Sequence, residues 1–153
     1  MIVVDSNVLA ARNLTGPQTS LATAVEQRDP VWIAPPLWRY EFQNILAKAI
    51  WARQITSAQG LQAWRKASAQ MADNEHEPSP DQVIELSARY RITAYDANFI
   101  ALAMEMGATC VTEDAELLRA FPLLAVRMAD FVKPGLDAGA VREARGSYRA
   151  RKG

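Results

Sequence analysis

Apolar residues along this chain follow two rhythms. Short runs are mostly apolar without alternation, and between them lie longer stretches with an apolar residue every three or four positions. The short runs are "MIVVD" (1–5), "PVWIAPP" (30–36), "ATCVT" (108–112) and "LAVRM" (124–128). Continuous rather than alternating apolar character predicts strands covered on both faces. The helical rhythm predicts helices at "SNVLAARNL", "TSLATAVEQR", "LWRYEFQNILAKAIWAR", "TSAQGLQAWRKASAQMA", "DQVIELSARY", the stretch from Thr93 to Gly107, and "EDAELLRAF".

The breaks between elements have chemical causes. Thr15, Gly16 and Pro17 end the first helix, and Pro122 ends the last. Pro36 suits the first turn of its helix. Ser6 or Asn7 could cap the first helix, and Thr56 or Ser57 the fourth. "DNEHEPSP" reads as a polar turn, and the stripe Trp38, Phe42, Ile45, Leu46 and Ala49 leaves Glu41 at its margin. Strands alternating with helices imply an α/β fold, three layers with a short central parallel sheet between helices.

With 153 residues the chain fits one domain, placed at residues 1–132, followed by a basic tail at 133–153. Half the residues are hydrophobic and 22% are charged, which is globular composition. Seventeen basic and seventeen acidic residues cancel, so no global charge announces nucleic acid. The tail, however, carries six basic residues against two acidic ones, and the body 11 against 15. Arg142, Arg145, Arg149 and Arg151 could contact RNA phosphates, or the tail is a solvated end. Cys110 is the only cysteine, so no disulfide forms within the chain, which suits a reducing cytoplasm. No basic, apolar leader opens the sequence and no run of about 18 apolar residues occurs, so neither secretion nor a membrane span is expected.

The chemistry lies in the acids. In an open parallel sheet, ligands bind beyond the carboxyl ends of the strands. "IVVD" ends in Asp5, and "TCVTED" places Glu113 and Asp114 just past another strand. Asp96 opens a helix that is otherwise apolar nearly all round, and Glu41 lies one turn into the helix after the second strand. Clustered carboxylates raise each other's pKa unless a cation compensates them. With His76 the only histidine, an all-oxygen ligand set points to Mg²⁺ or Mn²⁺ rather than zinc. Such an ion suits phosphodiester hydrolysis. Each acid also has a purely structural reading that stays open at this level. Asp96 pairs with Thr93 at capping-box spacing, Asp5 could be a turn residue, Asp114 could serve its helix dipole, and Glu41 could be solvated.

"VVDSNVLA", "YEFQNILAKA", "YDANFIALAMEMGATCVTED" and "LLRAFP" together resemble the PIN domain, above all its VapC-type toxins. The resemblance spans nearly all of residues 1–132. It implies a Mg²⁺- or Mn²⁺-dependent endoribonuclease that uses a metal-activated water, the toxin of a toxin–antitoxin pair. By resemblance the catalytic quartet is Asp5, Glu41, Asp96 and Asp114, with Asp5, Asp96 and Asp114 on the metal. Ser6, Asn7 and Thr112 match supporting polar positions, and Glu113 and Asn98 rank below the quartet. The implied partners are RNA, a cognate antitoxin protein and a second copy of the chain, in a dimer or a larger toxin–antitoxin assembly.

Two other classes compete. A receiver-type signalling domain would want paired acids near the first strand and a late lysine. Here Asp5 is followed by Ser6 and Asn7, and "VTEDAE" has no lysine. A catalytically silent PIN-like module would only bind a partner. Trp38, Trp51 and Trp64 sit at helical spacing, which favours core or interface packing over base stacking. The helices carrying Glu41 and Trp64 are candidates for a dimer or antitoxin surface. His76 reads as part of a solvated turn, and Cys110 as an inert core residue.

Overall fold

The computed structural model describes residues 1–135. Strands β1 (Ile2–Val4), β2 (Trp32–Ile33), β3 (Thr109–Val111) and β4 (Ala125–Val126) form one sheet in the order β2-β1-β3-β4. All pairings are parallel, and Val3 lies opposite Ile33 on one side and Cys110 on the other. The whole of β1 is buried, as its lack of alternation predicts.

Eight helices surround the sheet among the described residues: α1 (Ser6–Asn13), α2 (Thr19–Arg28), α3 (Trp38–Trp51), α4 (Ser57–Met71), α5 (Pro80–Tyr90), α6 (Ala94–Met106), α7 (Ala115–Ala120) and α8 (Met128–Phe131). The α/β fold is therefore as expected. Helix α1 packs on α2, α3 and α4, while α6 lies against β1 and β3 and is covered by α5. That double contact explains why α6 is apolar nearly all round: Ala97, Phe99, Ile100, Ala101, Leu102 and Ala103 are all buried. Burying side chains such as Phe99 and Leu102 contributes about 2 kcal/mol each, enough to hold the start of α6 in place. Gly107 closes α6 in the left-handed conformation, at φ 62°.

Three details differ from the sequence expectation. Neither Ser6 nor Asn7 caps α1. Asp5 does, because the chain is still extended there and its carboxylate accepts the Asn7 N–H. The run "LAVRM" keeps only Ala125 and Val126 in the sheet, and Met128 already opens α8, its N–H donating to the Glu113 carboxylate. The segment after α4 is more than a polar turn. It forms a parallel bridge between Ala34 and Glu75, with the His76 N–H donating to the Ala34 carbonyl at 3.1 Å. The basic tail begins at Lys133, and Arg142, Arg145, Arg149 and Arg151 lie outside the described residues. Among the described residues no helix is long and apolar enough to cross a membrane.

Candidate active site

Strand β1 is central, with β2 on one side and β3 on the other. The connections leaving this pair therefore diverge, and a crevice opens beyond their carboxyl ends. Asp5 follows β1 directly, and its N–H still donates to the Val111 carbonyl, so the sheet ladder holds its backbone. Thr112 and Asp114 follow β3. Helices α3 and α6 bring Glu41 and Asp96, each within the first turns of its helix. All four acids line one pocket of about 220 Å³, with Ser6, Asn7, Asn44 and Ile45.

Hydrogen bonds orient each carboxylate. Thr112 Oγ1 donates to Asp5 Oδ2 at 2.6 Å and accepts the Asp114 N–H at 3.0 Å. One buried hydroxyl thus ties the ends of β1 and β3 together. Asp114 Oδ1 accepts the N–H groups of Glu116 and Leu117 and so caps α7. Thr93 Oγ1 accepts the Asp96 N–H and donates to Asp96 Oδ2 at 2.6 Å. Ser6 Oγ donates to Glu41 Oε2 at 2.5 Å. The capping roles of Asp5 and Asp114 are therefore real and coexist with membership of one pocket. Thr93, not Asp96, caps α6, and among the described residues the Asp96 carboxylate accepts only the Thr93 hydroxyl. Helix dipoles favour the ionised form of a carboxylate held at these ends.

The electrostatics work against the cluster. Burial pushes the Asp5 carboxyl above its ordinary pKa, and Asp114 adds to the rise, while the hydrogen bonds from Thr112 and Asn7 oppose it. Burial also raises Glu41, with Asp5 and Asp96 adding to it and Ser6 opposing. Among the described residues no lysine, arginine or histidine lines the pocket. Glu41 Oε1, Asp96 Oδ1 and Asp114 Oδ2 have no hydrogen-bond partner within the described residues, since every bond to these side chains engages another atom.

This donor set is all oxygen and short of positive charge, which fits a hard divalent cation. Among the described residues no three acidic, histidine or cysteine side chains come close enough to grasp one ion together. A caged Ca²⁺ or Zn²⁺ site is thus not preformed. Mg²⁺ fits better, because it takes one or two carboxylates and completes its shell with water and substrate phosphate.

The structure brings together the acids expected from sequence and separates other candidates from them. Thr112 and Ser6 support carboxylates through their hydroxyls, whereas Asn7 supports Asp5 only through its backbone N–H. Asn98 donates to the Ala94 carbonyl, and Glu113 faces a neighbouring cavity. Asn44, absent from the residues expected above, also lines the pocket, and its position one turn after Glu41 on the same helix face is the sequence signal for it. Trp38 and Trp64 stack at 5.6 Å in the core, while Trp51 is 74% exposed. Cys110 is buried, and its thiol is raised well above its ordinary pKa by burial and by Asp5 nearby, so it is inert. Glu75 belongs to a different cluster. It accepts from Trp38 Nε1 and from Arg39, which holds its carboxyl below the ordinary range.

The family profile of the PIN domain matches residues 2–121. The crystal structure of PAE2754 from Pyrobaculum aerophilum superimposes with a TM-score of 0.69 at 22% identity, covering 86% of this chain and 92% of that one. At that identity the likeness speaks for the fold. No curated protein matches the sequence.

Proposed function

Because the chain belongs to the PIN domain family, whose members are generally metal-dependent nucleases, we propose that it is a Mg²⁺- or Mn²⁺-dependent endoribonuclease. One observation carries this reading. Four carboxylates from four separate parts of the chain line one pocket, and among the described residues no basic side chain there neutralises them. Asp5 and Asp96 are the main groups to hold the cation, with Asp114 completing the set or holding a metal-bound water, and Glu41 acting directly or through water. When bound, the cation activates a water and steadies the charge that develops on the phosphate.

The protein's own part is positioning. Thr112 fixes Asp5 relative to β3, Thr93 aims Asp96, and the start of α7 holds Asp114 by two N–H donors. Ser6 turns Glu41 toward the same rim. These short bonds keep the carboxylates in place before substrate arrives, so little reorganisation remains for the reaction itself.

In this reading the protein acts in the cytoplasm as the toxin of a toxin–antitoxin pair. Its partners are RNA, a cognate antitoxin and a second copy of the chain. The exposure of Trp51 (74%) and Leu61 (56%) at the α3–α4 hairpin supports a protein-binding surface there. Replacing Asp5 or Asp96 by Asn should abolish RNA cleavage and relieve growth arrest, with circular dichroism unchanged and Mn²⁺ binding weakened in calorimetry. Full activity in both variants would end the proposal.

A further inference from the structure

A second cavity, of about 420 Å³, adjoins the acidic pocket. Asn7 lines both, and Glu113, which lines the second, is the chain neighbour of Asp114. The size falls in the range of small-ligand sites. Ala11, Leu14 and Pro17 form an apolar wall, and Asn7, Gln18 and Glu113 add polar groups. The loop behind it is braced: Thr19 Oγ1 donates to the Leu14 carbonyl at 2.7 Å and accepts the Gly16 N–H at 2.9 Å. That side of the cavity is therefore held in place.

Its polar groups have capacity to spare. No hydrogen bond engages the side-chain amide of Asn7 or Gln18 among the described residues. Among the described residues Asn7 meets another side chain only through its backbone N–H, which donates to Asp5. Glu113 Oε1 accepts the Met128 N–H at 3.0 Å, and Oε2 lies 3.6 Å from Arg127 Nη1. A carboxylate oxygen has two acceptor positions, so both remain able to bind a ligand. The Met128 bond holds the carboxylate in place, and Arg127 lies close enough to offset part of its charge.

Resting on the nuclease reading, we infer that this cavity is a base-reading subsite for the nucleotide next to the scissile phosphate, and that the base it takes is guanine. A single-stranded nucleotide can splay its base into such a slot, with the face on apolar side chains and the edge on polar ones. Among the four bases only guanine presents two adjacent donors, N1–H and the N2 amino group, on its pairing edge. Two carboxylate oxygens match that pair. The amides of Asn7 and Gln18, which both donate and accept, suit its O6 and N7. On every other base edge a donor sits beside an acceptor, which one oxygen of Glu113 would repel.

The test uses the full chain with Mn²⁺. Cleavage sites are mapped on a single-stranded RNA library of random sequence, and rates are then measured on oligonucleotides differing only at the nucleotide beside the cut. Guanine should be enriched at one flanking position. Glu113→Gln, which keeps an acceptor for the Met128 N–H, should lower kcat/KM for the guanine substrate about tenfold and should not lower it for the other three, whose edge acceptor no longer meets a carboxylate oxygen. Ala11→Phe, which fills the slot, should raise KM for all substrates about tenfold while kcat stays unchanged. Cleavage without base preference beside the cut would overturn the subsite and leave the nuclease reading standing. So would a guanine preference that persists in E113Q when its melting temperature and Mn²⁺ affinity match the wild type. If the wild type cuts no RNA beyond a D5N control, both fall together.

Discussion

Replacing Thr112 by valine exchanges one hydroxyl for one methyl at a position with no solvent exposure. Shape is nearly kept, so the change isolates the hydroxyl. That group donates to Asp5 Oδ2 at 2.6 Å and accepts the Asp114 N–H at 3.0 Å. Losing a hydrogen bond to a charged carboxylate costs about 2 kcal/mol, and leaving an N–H without its acceptor costs about 1 kcal/mol more. A total of about 3 kcal/mol should lower Tm by about 10 °C in a chain of this size. The bond from Thr112 also opposes the burial that raises the Asp5 pKa. Without it Asp5 ionises at higher pH, and a cation needs the ionised form. The acid limb of the activity–pH profile should therefore move to higher pH. Thr112→Ser, which keeps the hydroxyl, should show neither change in full. Differential scanning calorimetry of the metal-free protein and a kcat/KM–pH profile measure the two effects. A T112V protein that melts within about 2 °C of wild type and keeps its acid limb would refute the bridging role. Equal losses in T112S and T112V would refute it too.

Further outcomes follow from the same geometry. Asp5 and Glu41 titrate above their ordinary range in the folded state, so the metal-free native protein holds protons that the unfolded chain has released. Its stability should fall as pH rises from the ordinary carboxylate range through the raised values, and remain lower above them. Mn²⁺ at a hundredfold excess over Kd should restore about 2.7 kcal/mol on the high-pH side; thermal melts that ignore both pH and Mn²⁺ would show that the rim is not strained. Ser6→Ala frees Glu41 from its 2.5 Å bond and should lower activity about tenfold, as loss of a ligand's supporting partner does, with Tm changed by only a few degrees. If Glu41→Gln is inactive and Ser6→Ala is fully active, the hydroxyl has no positioning role. Truncation at Lys133 should leave RNA affinity and its salt slope unchanged if the tail is a solvated end; a weaker affinity with a flatter slope assigns its arginines to phosphate contact.

Much of this protein was legible in local pattern. Continuous apolar runs marked the strands, and a 3.6-residue rhythm with prolines and glycines at its breaks marked the helices. Asp5, Asp96 and Asp114 stood out because each sits at a junction where strand or loop becomes helix. Such a junction has a local signature: an acid, then N–H groups without helical partners. The pattern failed where a local preference was outweighed. Met128 resumes the apolar run of "LAVRM", yet Glu113 captures its N–H and α8 opens there instead. The segment around Glu75 is polar, yet Trp38 and Arg39 draw its carboxylate inward and Ala34 pairs with its backbone.

By itself, then, the amino-acid sequence determined the fold class, the element order and which acids lie at strand ends and helix starts. These depend on neighbours a few residues away. Only the tertiary structure decided that β1 sits between β2 and β3, which opens the crevice at Asp5. It alone paired Thr112 with Asp5 across 107 residues and Ser6 with Glu41 across 35. It also set Glu113 beside Asn7 and Gln18 in one cavity. Contacts of such sequence separation leave no periodic trace, because the packing of helices on the sheet, rather than any local preference, sets the distance between their ends.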